Sequence, residues 1–142
     1  MNSPPCEPSA SDMAHYLDTS ALVKLVVAEA ETAALRTWLQ ETDRTPVSCD
    51  LARTELIRAV RRAAPDRVVQ ARAVLDSITL IQLATATFEE AGRLDPRLLR
   101  TLDAVHLAAA LELGDDMESI VTYDERLAEA AQNNAIPVTA PR

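Results

Sequence analysis

Short apolar runs alternate with segments of helical periodicity along this chain. Ala14 to Leu17 is an apolar run that stops at Asp18. Ser20 to Ala28 and Glu31 to Glu41 follow, and in the second of these Leu35, Trp38 and Leu39 recur at helical spacing, so the pattern predicts strand, helix, helix. Pro46 precedes the short run Val47 to Cys49, and Asp50 is placed to cap a helix carrying Leu51, Thr54, Glu55 and Arg58 on related turns, ending before Pro65. A helix over Asp66 to Asp76 leads into Ile78 to Leu83, rich in β-branched residues. Thr85 to Leu94 is helical again. After the Pro96 loop, Thr101 or Leu102 opens a helix closed by Gly114. Ser119 to Tyr123 reads as a strand, Asp124 to Asn133 as a helix, and Ile136 to Val138 as a last short strand. About five short strands separated by helices predict a three-layer α/β/α domain with a mostly parallel central sheet, because parallel neighbours need helical crossovers.

Length and composition fit that reading. A chain of 142 residues is one domain, and 48% hydrophobic with 25% charged residues is the ordinary globular range. Residues 1 to 12 are rich in Pro and Ser and are read as a flexible tail, leaving 13 to 142 as the single domain. Aromatics are 3% of the chain, too few to line a groove with base-stacking platforms. The two glycines, Gly92 and Gly114, do not open a helix after a strand, which excludes Walker A loops and dinucleotide fingerprints. Cys6 and Cys49 make neither a disulfide framework nor a zinc spacing, consistent with a reducing, cytoplasmic setting. No apolar run reaches the length of a membrane span and no secretory signal is legible.

A net charge of -8 argues against plain electrostatic adhesion to nucleic acid. The basic residues are nevertheless clustered: Arg53, Arg58, Arg61, Arg62, Arg67 and Arg72 fall within twenty residues that hold only Glu55 and Asp66 as acids. Phosphate contact and a solvated helix face are both open readings of Arg53, Arg58, Arg61 and Arg62.

The candidate chemistry lies in carboxylates at strand ends. Asp18 and Asp124 each follow a strand, so both project from one edge of a parallel sheet, where ligands of such folds sit. Asp103 lies in the first turn of its helix and Glu55 in the first two turns of another, and both helix starts face that edge. Each acid has an ordinary alternative: Asp124 as an N-cap, Asp103 as a complement to a helix dipole, Glu55 paired with Arg58, Asp18 in a turn with Thr19 or Ser20 capping. Four converging carboxylates repel one another unless a cation is shared, and Mg²⁺ or Mn²⁺ takes hard oxygen ligands plus substrate phosphates. His106, three residues after Asp103, fits helix packing better than hard-cation ligation, and His15 in the first strand reads as structural. The stripe Leu22, Leu25, Val26, Leu35 and Trp38 reads as core or dimer contact, with an exposed Trp38 favouring a partner groove.

The segments YLDTSALVKL (16 to 25), ARTELIRAVRR (52 to 62), TLDAVHLAAAL (101 to 111) and VTYDERLAEAA (121 to 131) resemble, in order, the four motif blocks of PIN-domain ribonucleases, in detail the VapC-type toxins of bacterial toxin–antitoxin pairs. The resemblance spans Met13 to Val138. It implies that Asp18, Glu55, Asp103 and Asp124 form the catalytic and metal-binding acidic quartet, with Ser20 and Thr122 as supporting polar residues. It further implies a Mg²⁺- or Mn²⁺-dependent endoribonuclease toxin that cuts structured RNA of the tRNA or rRNA class to 5′-phosphate and 3′-hydroxyl ends. A VapB-type antitoxin would neutralise it, the toxin would be a homodimer, and it would act in the bacterial cytoplasm without a membrane. The alternative is a non-catalytic PIN-like domain whose acids dock a basic partner. A phosphatase of the haloacid type is disfavoured because Ser20 stands where its second Asp is expected.

Overall fold

The computed structural model describes residues 14–142, and the segment 1 to 12 lies outside the described residues. Five strands, β1 (Ala14–Leu17), β2 (Thr45–Cys49), β3 (Thr79–Ile81), β4 (Met117–Val121) and β5 (Val138–Thr139), form one sheet in the order β3-β2-β1-β4-β5, every pairing parallel. Seven α-helices make the crossovers: α1 (Thr19–Lys24) and α2 (Thr32–Glu41), α3 (Leu51–Ala63) and α4 (Val68–Ser77), α5 (Thr85–Arg93) and α6 (Thr101–Leu113), and α7 (Glu125–Asn133). Side-chain alternation along β1 builds both layers. Tyr16 packs with Leu107, Leu127 and Ala130 on the α6/α7 face, and Leu17 with Leu22, Leu35, Leu56 and Val60 on the α1–α4 face. Leu22, Val26 and Leu35 are fully buried, so that part of the apolar stripe is core.

Strand order fixes where a ligand can sit. The chain winds from β1 to β2 to β3 in one direction and returns through β4 to β5 in the other, so the sheet reverses between β1 and β4. The crevice above the carboxyl ends of those two strands is the topological switch point. Asp18 directly follows β1, and Thr122 to Asp124 directly follow β4.

Several predicted boundaries shift for local reasons. The first helix stops at Lys24 instead of Ala28, because the Thr32 hydroxyl donates to the Lys24 carbonyl at 2.7 Å and takes the place of a helical N–H. The Lys24 ammonium turns to Glu31 at 2.9 Å and lies 4.6 Å from the centre of the Tyr123 ring. The fourth strand ends at Val121, two residues early, since Thr122 is drawn into a turn by its own hydroxyl. Ile136 is not strand. It closes α7 in a Schellman motif, with Ile136 N–H donating to Ala131 O at 2.9 Å, Ala135 N–H to Gln132 O at 3.0 Å, and Ala135 at a left-handed φ of 61°. Asp50 stands at the N-cap of α3, yet its carboxylate accepts from the Arg53 side chain at 3.1 Å and makes no capping bond.

Candidate active site

Asp18 is 3% exposed and tied down on both oxygens. Oδ1 accepts from the Ala21 N–H at 3.1 Å, which makes Asp18 itself the N-cap of α1, and from the Ser20 hydroxyl at 2.7 Å. Oδ2 accepts from the Thr122 hydroxyl at 2.6 Å. Thr122 Oγ1 in turn accepts from the Asp124 N–H at 3.1 Å, and Ser20 Oγ accepts from the Tyr123 N–H at 3.0 Å. The two predicted polar residues thus stitch the turn after β1 to the turn after β4, across the switch point. Burial raises the Asp18 carboxyl above its ordinary range, and the Ser20 and Thr122 hydroxyls only partly oppose that rise.

Glu55 does not pair with its neighbour Arg58. It reaches from α3 toward α6, where its Oε1 accepts from the Thr19 hydroxyl at 2.7 Å and from His106 Nε2 at 2.5 Å. His106, 2% exposed, also meets the Tyr16 oxygen through Nδ1 at 2.7 Å, with Cys49 Sγ 3.8 Å away. Burial favours the neutral imidazole, but Cys49 at one nitrogen and Glu55 at the other outweigh it and push His106 up to about 10. An imidazolium donates from both nitrogens, to the Glu55 carboxylate and to the Tyr16 oxygen. Burial also works against an ionised Glu55, and here the His106 and Thr19 contacts win and hold the carboxyl below its ordinary range. His106 is therefore more than a packing residue: it fixes one oxygen of Glu55.

Asp103 and Asp124 face each other across the mouth of the crevice. Asp124 is the N-cap of α7, its Oδ1 accepting from Arg126 N–H at 2.9 Å and Leu127 N–H at 3.1 Å. The N-cap reading and the site reading of Asp124 hold together, because its other oxygen, Oδ2, points to Arg100 at 2.9 Å. Arg100 Nε also donates to Asp103 Oδ2 at 3.2 Å. Burial first, and then the charge of Asp124, raise the Asp103 carboxyl. The single Arg100 guanidinium thus bridges one oxygen of each acid.

Tyr16, Thr19 and Arg100 were not singled out from sequence. Thr19 had a signal in its adjacency to Asp18, and Arg100 in its i, i+3 spacing to Asp103; Tyr16 had none. His15 donates to or accepts from Ser119 Oγ at 2.9 Å and stacks edge-on to Trp38, a structural role as expected. Trp38 is partly buried and carries the Arg44 guanidinium 4.2 Å from its ring centre, so it does not present the exposed hot spot of a partner groove. The arginine cluster is spread out: Arg53 and Arg58 line a concavity between α3 and α4 with Arg72 and Asp76, whereas Arg58, Arg61 and Arg62 line a second one toward the far end of α3.

Do these residues suit a hard divalent cation? Their donor set is all carboxylate and hydroxyl oxygen, and a guanidinium already bridges two of the carboxylates as a cation stand-in. Among the described residues no three His, Cys, Asp or Glu side chains stand close enough together to hold a metal ion by themselves. Mg²⁺ commonly binds through one or two carboxylates and keeps waters and substrate phosphates in its remaining positions, and Asp103 with Asp124, bridged by Arg100, offers that number.

The family model of the PIN domain matches residues 15–133. This chain belongs to the PIN-domain family. Within it, Ribonuclease VapC46 of Mycobacterium tuberculosis (strain ATCC 25618 / H37Rv) is 42% identical over 126 residues, covering 89% of this chain and 96% of that protein. Ribonuclease VapC47 of the same species (strain CDC 1551 / Oshkosh) is 37% identical over 130 residues, with the same coverage. The chain is thus a VapC-type PIN protein, an endoribonuclease toxin by family. Solved structures agree on the fold. VapC20 of M. tuberculosis, a Sarcin-Ricin loop cleaving toxin, superposes with a TM-score of 0.68 at 18% identity over 82% of this chain and 94% of that one. VapBC2 from Rickettsia felis, bound to a DNA fragment from its promoter, gives 0.67 at 14% identity over 92% of this chain and 100% of that one. The matched PIN region contains Asp18, Glu55, Asp103 and Asp124, and with them the whole crevice.

Proposed function

We propose that this PIN domain hydrolyses RNA phosphodiesters with Mg²⁺ or Mn²⁺ held by Asp18, Asp103 and Asp124, and that Glu55 completes the catalytic quartet. The observation that supports this reading is the run of contacts that links Asp18 through Thr122 to Asp124, and Asp124 through Arg100 to Asp103, around one switch point. When bound, the cation supplies activation of water and neutralisation of charge on the leaving oxygen. The protein's own work is placement. Ser20, Thr122 and the Ala21 N–H keep Asp18 from rotating, so its charge stays aimed into the crevice. Thr19 and His106 both bind Glu55 Oε1, which leaves Oε2 as the oxygen turned to incoming water. Asp124 spends one oxygen on capping α7 and keeps the other for the site.

Membership of the VapC toxins supports structured RNA of the tRNA or rRNA class as substrate, a VapB-type antitoxin as neutralising partner, a homodimer, and action in the bacterial cytoplasm. No helix among the described residues is long and apolar enough to cross a membrane. We take residues 13 to 142 as the single folded domain.

Purified protein incubated with total bacterial RNA is expected to produce discrete cuts bearing 5′-phosphates and 3′-hydroxyls in Mg²⁺ or Mn²⁺, and none in EDTA. Cuts that persist in EDTA, or that end in 2′,3′-cyclic phosphates, contradict the reading. Absence of cleavage across several RNA pools favours the partner-docking alternative.

Arg61 and Arg62 are proposed to contact RNA phosphate, as are Arg53 and Arg58 nearer the site. Along α3, Arg62 lies seven residues past Glu55, about 10 Å further down the axis. Arg61→Ala with Arg62→Ala is therefore expected to weaken RNA binding without altering the cut positions, and to lower the salt slope of binding by about one per arginine. An unchanged slope assigns these arginines to a solvated face.

A further inference from the structure

Arg100 is the residue immediately before α6, and its side chain is 63% exposed. Its guanidinium spans two elements, Nε on Asp103 Oδ2 at 3.2 Å and a terminal nitrogen on Asp124 Oδ2 at 2.9 Å. A cation engaging both of those oxygens competes with the guanidinium for the same lone pairs. Only the guanidinium side of these pairs is well solvated, and that keeps the cost of displacing it modest. Once displaced, Arg100 is still anchored three residues from Asp103, and its planar fork matches a phosphate bidentately. Two of its five N–H donors are used on the carboxylates, so the others already face solvent at the crevice mouth.

We propose that Arg100 is a positioning residue for substrate phosphate that exchanges partners, releasing Asp103 and Asp124 to the divalent cation and then clamping a phosphate of the bound strand. This rests on the cation-dependent reading of the site above. It makes cation binding and strand binding mutually favourable, because the cation frees Arg100 for the strand and the strand holds Arg100 away from the two carboxylates, and such coupling is reciprocal.

The test is Mn²⁺ titration followed by electron paramagnetic resonance, with and without an oligodeoxythymidylate as phosphodiester probe. Wild type is compared with Arg100→Ala, Arg100→Lys, Arg126→Ala and Asp103→Asn. Arg126 is the charge control: it sits two residues after Asp124, and only its backbone N–H is bonded to that carboxylate. Arg100→Ala is expected to bind Mn²⁺ about three- to tenfold tighter than wild type without the probe, beyond any change in Arg126→Ala. The additional tightening that the probe produces in wild type is expected to shrink in Arg100→Ala and to persist in part in Arg100→Lys. Equal or weaker Mn²⁺ affinity in Arg100→Ala, or a gain no larger than that of Arg126→Ala, overturns the proposal. Mn²⁺ binding that Asp103→Asn leaves untouched overturns instead the placement of the cation itself.

Discussion

Replacing Asp18 with asparagine is expected to abolish RNA cleavage while raising the melting temperature. The catalytic half follows from its position: Asp18 supplies a negative charge at the base of the crevice, and an amide of the same shape supplies none. A fall of about three orders of magnitude in rate, or ~4 kcal/mol of transition-state stabilisation, is the expected scale. The stability half follows from burial. Asp18 is 3% exposed, and burial holds its carboxyl above the ordinary range, so ionising it in the folded protein carries a desolvation cost. Because the folded value lies above the unfolded one, the stability contributed by Asp18 is present at low pH and is lost as pH rises through the folded value. Asparagine removes that cost. Its carbonyl oxygen still accepts from Ser20 and Ala21, and its amide donates to the Thr122 hydroxyl, which already accepts from the Asp124 N–H and can turn its own proton toward Ser20 Oγ at 3.4 Å. Thermal melts in EDTA at pH 7 check this: a gain of about 1 kcal/mol, or a few degrees, is expected. A large loss of stability would show that the carboxylate is structural.

His106→Ala is expected to have the opposite balance. It deletes a side chain 2% exposed, opens a cavity against Tyr16, and leaves Glu55 without its charged partner. Breaking one side of a buried ion pair costs about 3 kcal/mol, close to 10 °C of melting temperature in a domain of this size. His106→Gln keeps a donor near Glu55 and is expected to recover part of both stability and cleavage. A pH series separates charge from shape. The His106 contribution is full below the ordinary imidazole value and is lost as pH rises toward about 10. The Glu55 contribution, from a carboxyl held low, is present at neutral pH and is lost as pH falls through its folded value. Wild type should therefore lose more stability than His106→Gln between pH 7 and pH 10. Identical slopes would mean that the buried imidazole is neutral throughout.

The sheet was legible because apolar runs end in polar turns, and Asp18 and Asp124 were legible because acids in the turns that leave parallel strands lie along one edge of the sheet. What stayed hidden depends on partners far apart in the chain. Glu55 looks like one end of an i, i+3 pair with Arg58 until the fold brings His106, 51 residues away, to 2.5 Å from it. Tyr16 reads as a core residue, which it is, but its oxygen holds the far side of that imidazole. Arg100 links two acids that share neither a helix nor a strand. Boundary shifts have the same origin, since a hydroxyl of Thr32 ends α1 from eight residues away.

Carboxylates from both sides of the β1/β4 switch point are proposed to form one cation site. Its most direct test is a crystal of the protein soaked in Mn²⁺, with the ion located by its anomalous scattering. An anomalous peak among Asp18, Asp103 and Asp124 that disappears in Asp103→Asn is expected. A peak elsewhere, or none there at saturating Mn²⁺, contradicts it.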